Sequence, residues 1–306
     1  MALPRIVTVI LNTNRREDTL ACLASLHKSS YPNNTILVLD NASMDGSVPA
    51  ICENFPDVKM IELNKNLGYA GNNNVGIQAA MEMGADWVFV LNEDTILDPC
   101  CIEKLIEAGE DNPEIGILGP MVYHYDEPSI IQSAGGMLTR YWHLIQLGKN
   151  EEDRNQYPET HNVQFISGCA IMVRRPVIQQ IGGLDERFFY YWEEADWCLR
   201  ALSNGWQVVH VPQAKLWHKG VQRNYHPSPN VTYYWTRNWF LMLSKNHAPL
   251  IAWAYAWFLT TKTLVSWTVK PKWHMMRYHR DAIWHGMVDF WRKEWGRCPH
   301  SLAPSS

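Results

Sequence analysis

WVFVLNEDT, residues 87–95, is an unbroken apolar run that stops abruptly at Asn92, Glu93 and Asp94. A short apolar run with a helical pattern before it and a proline-led one after it reads as a buried parallel strand. Its carboxylates then stand at the strand's C-terminal edge, where open α/β sheets bind ligands. A hard divalent cation needs oxygen ligands of this kind. The alternative is a turn that caps the next helix, with Asp94 or Thr95 meeting its free N–H groups.

Working outward, strands alternate with helical patterns over the first 120 residues. RIVTVIL (5–11), TILVLD (35–40) and VKMIEL (58–63) read as strands, and Leu20, Leu23 and Leu26 share one face of a helix after the first. A further helix falls near Asn73 to Met83. This alternation predicts a parallel, doubly wound sheet. Each strand ends in polar residues: Asn12 to Asn14, Asp40 with Asn41, Asn64 with Asn66, then Asn92 to Asp94. One sheet edge therefore collects the hydrogen-bonding side chains.

At 306 residues the chain is long enough for a full α/β core, and its formal charge of −4 excludes a bulk nucleic-acid binder. The charge is unevenly spread. Lys219 to His300 holds 12 Lys/Arg against 3 Asp/Glu, and nine of the 15 Trp. Seven scattered Cys, two of them adjacent, suit neither a disulfide framework nor a zinc site, and point to a reducing cytoplasm. The N-terminus enters a strand at once, without the regions of a signal peptide.

The edge loops indicate what is held there. VLDNASMDGS (38–47) places Asp40 where it can accept from a base imide or a ribose hydroxyl. NKNLGYAGNNNVG (64–76) has three Gly and five Asn, which let backbone approach a ligand and offer amide donors. Ordinary turns explain each loop separately.

These residues resemble the inverting GT-A glycosyltransferases of family 2, in particular the non-processive, rhamnosyltransferase-like branch. The family's TYN, VDNASxDGS, NxNLGFAGGNNxG and DxD-like motifs stand here as Asn12-Thr13-Asn14, Asp40 to Ser47, Asn64 to Gly76, and Asn92-Glu93-Asp94, and the likeness spans about residues 5–245. It implies an α/β GT-A fold, a mostly parallel sheet flanked by helices, followed by a Trp-rich helical extension. A dTDP- or UDP-sugar would lie across the strand edge. Asn12 and Asp40 would be near the base, Asn41, Asn66, Gly71 and Asn92 would be further donor-binding positions, and Asp94 would hold Mn²⁺ or Mg²⁺. The chain departs from the pattern at Asn12, where Thr is more usual, and at Asn92, where a DxD has its first Asp. An amide in that place holds a cation less tightly than a carboxylate.

QFISGCAIMVRR (164–175) reads as another strand, ahead of IGGLDERFFYYWEEADWCLRALSNGW (181–206). The latter is similar to the family's GGFDExFF loop and EDxDLxxR motif, which matches Glu194 to the general base that inverting transfer needs. Asp196 and Arg200, four apart, are set to pair on one helix face; a solvated acidic first turn is the alternative for all three acids. His218, after the strand WQVVHV (206–211), matches the family's third metal ligand, with a packed or surface histidine as the alternative, and His210, His226 and Lys219 close by. Lys219 and Arg223 suit neutralisation of a leaving diphosphate.

Residues 246–306 form the basic extension. APLIAWAYAWFLTTKTLVSWTV (248–269) is barely long enough to span a bilayer, and interleaved Trp and Lys/Arg suit a helix lying on a membrane surface. A homodimer contact or a packed hairpin is the alternative. RNW at 237–239 is similar to the end of the processive synthases' QxxRW, but Tyr234 replaces the Gln. The whole implies a catalytic domain at 1–245 that moves one sugar to a hydroxyl of a lipid-linked or oligosaccharide acceptor in cell-surface polysaccharide synthesis. An inactive scaffold and a nucleotidyltransferase are the competing readings; the latter's Gly-, Arg- and Lys-bearing phosphate loop is missing after Val9.

Overall fold

The computed structural model describes residues 3–220 and 224–302. Its first half runs β1 (Ile6–Asn12), α1 (Arg16–Leu26), β2 (Asn34–Asp40), α2 (Ser47–Asn54), β3 (Lys59–Glu62), α3 (Gly68–Glu82), β4 (Trp87–Asn92), β5 (Thr95–Leu97) and α4 (Cys101–Asp111). There follow β6 (Ile115–His124), β7 (Ile131–Ser133), the hairpin β8 (Gly136–Leu138) and β9 (Leu144–Gln146), then β10 (His161–Asn162) and β11 (Ala170–Arg174). The chain continues through α5 (Arg175–Ile181), α6 (Glu193–Ser203), β12 (Gln207–His218), α7 (Pro229–Lys245), α8 (Leu250–Val269), a 3₁₀ turn at Pro271–Met276 and α9 (Arg277–Arg292).

The main sheet has the order β10-β12-β6-β11-β4-β1-β2-β3. β3, β2, β1 and β4 are parallel, as are β6 and β12, while β11 runs antiparallel between β4 and β6. The sheet is thus mostly parallel, not wholly so. Alternate residues feed two layers: Val7, Val9, Leu37, Leu39, Val88 and Val90 pack on one face, and Ile6, Ile10, Ile36, Val38, Trp87, Phe89 and Leu91 on the other. Helices cover both faces, which is why these strands read as continuous apolar runs. On the first face α3 approaches so closely that a Cβ at Gly76 would collide with Val9 Cγ1.

Three local expectations shift. The strand expected at 164–175 begins only at Ala170, and the backbone before it turns through Gly168, whose carbonyl accepts from Tyr69 Oη at 2.6 Å. The Gly- and Asn-rich 64–76 segment is mostly helix, because α3 starts at Gly68, with φ of +76°. β12 runs past residue 211, through an irregularity between Val211 and Lys215, so His218 ends the strand.

The C-terminal helices pack on the α/β layer through α7. Gly286 of α9 lies where a Cβ would be 2.9 Å from Tyr233 O, an approach only glycine allows, and Phe240 meets Phe290 at 5.5 Å between ring centres. α8 buries Ala252, Ala256 and Thr260 and exposes Ile251, Phe258 and Val265 on its outer face. Among the described residues no helix is long and apolar enough to cross a membrane.

Candidate active site

Register brings the strand ends together. Asn12 pairs with Asp40 across β1 and β2, and Leu11 with Asn92 across β1 and β4, so all three polar ends share one edge. The turn after β4 is fixed by Asn92, whose N–H donates to Cys169 O at 2.9 Å and whose carbonyl accepts from Thr95 Oγ1 at 2.8 Å. Asp94 is then held inward, 4% exposed.

β12 delivers His218 to Asp94, with His218 Nε2 3.1 Å from Asp94 Oδ1. That is within ion-pair distance, and among the described residues Asp94 Oδ1 has no other donor. Gln132 Oε1 lies 2.8 Å from His218 Nδ1. An amide oxygen only accepts, so Nδ1 carries the proton and Nε2 aims a lone pair at the carboxylate unless the ring is charged. Two facing acceptors call for a proton or a cation between them. A Cβ at Gly220 would collide with Asp94 Oδ2 and sit 3.2 Å from His218 Nε2, so glycine keeps the side of this pair open. Among the described residues no group of three His, Cys, Asp or Glu forms a cage. Two protein ligands plus oxygens of a diphosphate fit a six-coordinate cation that commonly binds through one or two carboxylates and substrate phosphate.

Burial works against ionisation of Asp94, but His218 with its ring protonated, and Arg15, whose Nη2 is 3.2 Å from Oδ2, outweigh it and hold the carboxyl below its ordinary value. Burial and the neighbouring Asp94 charge push Glu93 up to about 7. Lys219 Nζ binds Asp18 Oδ1 at 2.9 Å, and Asp18 also meets Arg15 at 3.2 Å, so two cations stand beside the Asp94 edge. His210 is wholly buried in β12 against His161, at 4.9 Å between ring centres, and His226 is exposed; neither is paired with Asp94. Arg223 lies outside the described residues.

Asn12 and Asp40 do meet, but chiefly to shape the loop. Asn12 Nδ2 donates to Asp40 Oδ1 at 2.7 Å and to Ser43 Oγ at 3.1 Å, and its Oδ1 accepts from Thr19 Oγ1 at 2.8 Å. With the side chain fully buried, Asn12 has no surface left for a base. Asp40 Oδ2 accepts Ser43 N–H at 2.9 Å, and Asn41 Nδ2 reaches Thr13 Oγ1 at 3.3 Å. In α3 the amides are likewise used internally. Asn66 Oδ1 takes Gly68 N–H at 2.9 Å, Asn72 Oδ1 takes Leu67 N–H at 3.0 Å, and Asn74 is tied to Leu184 through both N–H and carbonyl at 2.9 Å. Gly71 is buried in the helix's first turn, where a Cβ would be 2.5 Å from Leu67 Cβ.

The acidic motif opens α6, as its sequence predicts. Asp196 pairs with Arg200 at 2.8 Å and with Lys245 at 2.7 Å, so it is structural. Glu193 and Glu194 differ: each has a buried Oε2 without a partner among the described residues. Burial, then the Glu194 charge, raises Glu193 well above its ordinary value. Burial pushes Glu194 up to about 7, against backbone N–H groups at the helix start that favour its ionised form. The two acidic groups lie near one another across the Gly168–Cys169 turn: a Cβ at Gly168 would be 3.5 Å from Glu194 Cδ, and Cys169 O accepts the Asn92 N–H at 2.9 Å. The preceding segment bends sharply, with φ of +64° at Phe189, +70° at Tyr191 and +77° at Trp192. Such values cost about 1–3 kcal/mol each for residues with a side chain.

Sequence reasoning missed Arg15, Gln132 and Gly220. Arg15 was legible as the first cation after the β1 edge; Gln132 carries no local signal, since β7 is three residues of an irregular excursion.

A mostly parallel sheet whose edge gathers Asp94, His218, Arg15 and Lys219, with Glu193 and Glu194, each with a buried carboxyl oxygen, nearby at a helix start, is an arrangement suited to a group-transfer enzyme that handles anionic substrates. The family model described as Glycosyl transferase family 2 matches residues 7–182. The chain belongs to that family and is a glycosyltransferase. It is 32% identical over 216 residues to N-acetylglucosaminyl-diphospho-decaprenol L-rhamnosyltransferase of Mycobacterium tuberculosis, covering 64% of this chain and 70% of that one. It is 30% identical over 247 residues to dTDP-rhamnosyl transferase RfbF of Shigella flexneri, covering 75% and 78%. Its fold is similar to that of a Pyrobaculum calidifontis mannosyltransferase solved with GDP-Man and Mn²⁺, at a TM-score of 0.61 and 13% identity over 96% of this chain and 89% of that one.

Proposed function

We propose that this enzyme moves one sugar, with inversion, from a nucleotide-diphospho-sugar to a hydroxyl of a lipid-linked or oligosaccharide acceptor in cell-surface polysaccharide synthesis. The relatives named for rhamnosyl transfer make dTDP-rhamnose the first donor to test, with UDP-sugars second. The observation that carries the reading is the closeness of the Asp94–His218 pair to a half-buried Glu194, which lies against Gly168 beside the Cys169 carbonyl that holds Asn92.

In this mechanism the acceptor oxygen attacks the anomeric carbon as the bond to the diphosphate breaks, and Glu194 takes the acceptor's proton. A value of about 7 suits a base working near neutral pH. Glu193 is the more deeply buried of the two, and burial and then the Glu194 charge raise it well above its ordinary value, whereas Glu194 has backbone N–H groups beside it that favour the ionised form a base needs. Asp94 and His218 would hold Mn²⁺ or Mg²⁺, which supplies charge neutralisation for the departing diphosphate. Arg15 and Lys219 add to it from the chain itself. Asp40 and Asn41 line the base end, their loop held by Asn12; Asn66 and Gly71 act by fixing the start of α3, and Asn92 by fixing the turn that aims Asp94.

Residues 1–245 are the catalytic unit in this reading, and 246–306 attach it peripherally to an anionic membrane. Exposed Ile251, Phe258 and Val265 on α8, with Trp284 and Trp291 on α9, support this, as does the excess of Lys and Arg. The test of the donor site is calorimetry with dTDP or UDP and Mn²⁺. Wild type should bind only with the metal; metal-independent binding of equal strength would refute the cation's place in the site.

A further inference from the structure

We propose that Arg237 and Asn238 of α7 are positioning residues for sugar transfer, clamping the bent 187–192 segment that sets Glu194 at the start of α6. The inference rests on Glu194 being the base.

Neither residue reaches a substrate, for both are fully buried. The hydrogen-bond partners of the Arg237 guanidinium are all neutral. It donates to Arg187 O at 3.1 Å, Phe188 O at 2.9 Å and Gly296 O at 2.7 Å, while lying about 5 Å from the Tyr233 and Tyr234 rings. Its Nε donates to Asn238 Oδ1 at 3.0 Å, which fixes the orientation of the amide. Asn238 Nδ2 is thereby turned to three carbonyls, Phe188 O at 2.8 Å, Tyr190 O at 2.8 Å and Tyr191 O at 2.9 Å, among which its two hydrogens are shared.

These carbonyls belong to the stretch in which Phe189, Tyr191 and Trp192 adopt left-handed backbone without a glycine among them. Such a conformation persists only where its surroundings over-determine it. Trp192 at the N-cap of α6 makes no side-chain cap, and within the segment itself single backbone bonds such as Asp196 N–H to Trp192 O hold the bend. Asn238 and Arg237 add a hold on its carbonyls. Without it the peptide planes of 188–192 would relax toward ordinary φ values, and Glu193 and Glu194, next in the chain, would move with them. Arg237 also ties the segment to Gly296, and Tyr233 Oη donates to Asp289 of α9 at 2.6 Å, so the C-terminal extension buttresses the clamp from behind. The RNW similarity to processive synthases therefore marks a buried support in this chain.

The experiment compares full-length Asn238→Ala, the milder Asn238→Ser and Arg237→Lys with Glu194→Gln. Affinity for UDP and for dTDP, each with Mn²⁺, is measured by calorimetry; turnover is measured with donor and acceptor, and hydrogen exchange is followed across 187–194. Misplacing a catalytic group by about 1 Å costs on the order of 10²-fold in rate. The expected result is a kcat lowered by about 10–100-fold at unchanged nucleotide affinity in Asn238→Ala and Arg237→Lys. Asn238→Ser should fall between these and wild type, and exchange should quicken at 188–194 but not in β1 or β4. An unchanged kcat in folded Asn238→Ser and Arg237→Lys, or equal losses of affinity and turnover, overturns the clamp while leaving Glu194 in place. Full turnover by Glu194→Gln overturns the base assignment, and the clamp with it.

Discussion

Replacing Glu194 by Gln should kill the enzyme and stabilise it at the same time. A glutamate with an ordinary value of 4.5 is pushed to about 7 here, chiefly by burial. The folded state thus favours the protonated form. Stability from this group is fully present below 4.5 and is lost as pH rises through about 7. At about 1.36 kcal/mol per pH unit, the loss reaches roughly 3 kcal/mol above pH 8. Gln keeps the shape and an oxygen for the backbone N–H groups but carries no charge. Its advantage over wild type should therefore grow from near zero at pH 4.5 to roughly 3 kcal/mol at pH 8. With about 2–4 °C of Tm per kcal/mol, that is roughly 6–12 °C. Turnover should fall about 10²–10⁴-fold. The assay is thermal unfolding of both proteins from pH 4.5 to 8.5 beside single-turnover transfer. A Tm difference that does not depend on pH, or a variant less stable at pH 8, would refute the view that Glu194 is strained by its site.

Asp94→Ala should abolish Mn²⁺-dependent binding of dTDP or UDP, with His218→Ala weakening it less; calorimetry reads both. Gly220→Ala, which alters no charge, should lower the same affinity because its Cβ meets Asp94 Oδ2. Gly76→Ala should cost about 1–3 kcal/mol in urea unfolding, since the new methyl collides with Val9 in a filled layer. Wild type should sediment with anionic vesicles, and less so as salt rises; Ile251→Ser with Phe258→Ser should release it. Removing residues after 245 is a poorer test, because α9 covers Tyr233 and Phe240 of α7.

The fold was legible wherever burial imposed a pattern. Runs such as 87–92 are apolar because helices cover both faces, and their polar ends had nowhere to go but the edge. Asp94 could be picked out because it follows directly on such a strand, whereas Glu194, in the first turn of α6, and His218, at the end of β12, were singled out only through the resemblance to the family's motifs. The antiparallel β11 could not be read, because strand direction is a tertiary choice that leaves no mark on a short apolar segment. The Asn-rich 64–76 stretch misled for a related reason: Asn72 and Asn66 accept the Leu67 and Gly68 N–H groups where α3 begins and Asn74 docks Leu184, so a composition typical of a loop became a helix start once it had partners. Gln132 and Asn238 act only across long sequence separations, on His218 and on the 188–191 carbonyls, and local sequence carries no sign of that.

The most direct test of the central claim is the anomeric configuration of the product. Purified enzyme is incubated with Mn²⁺, dTDP-rhamnose or a UDP-sugar, and an acetylglucosaminyl polyprenyl diphosphate, and the new glycosidic linkage is assigned by NMR. A single displacement assisted by Glu194 predicts a linkage inverted relative to the donor, whereas a product that retains the donor's configuration would contradict the account.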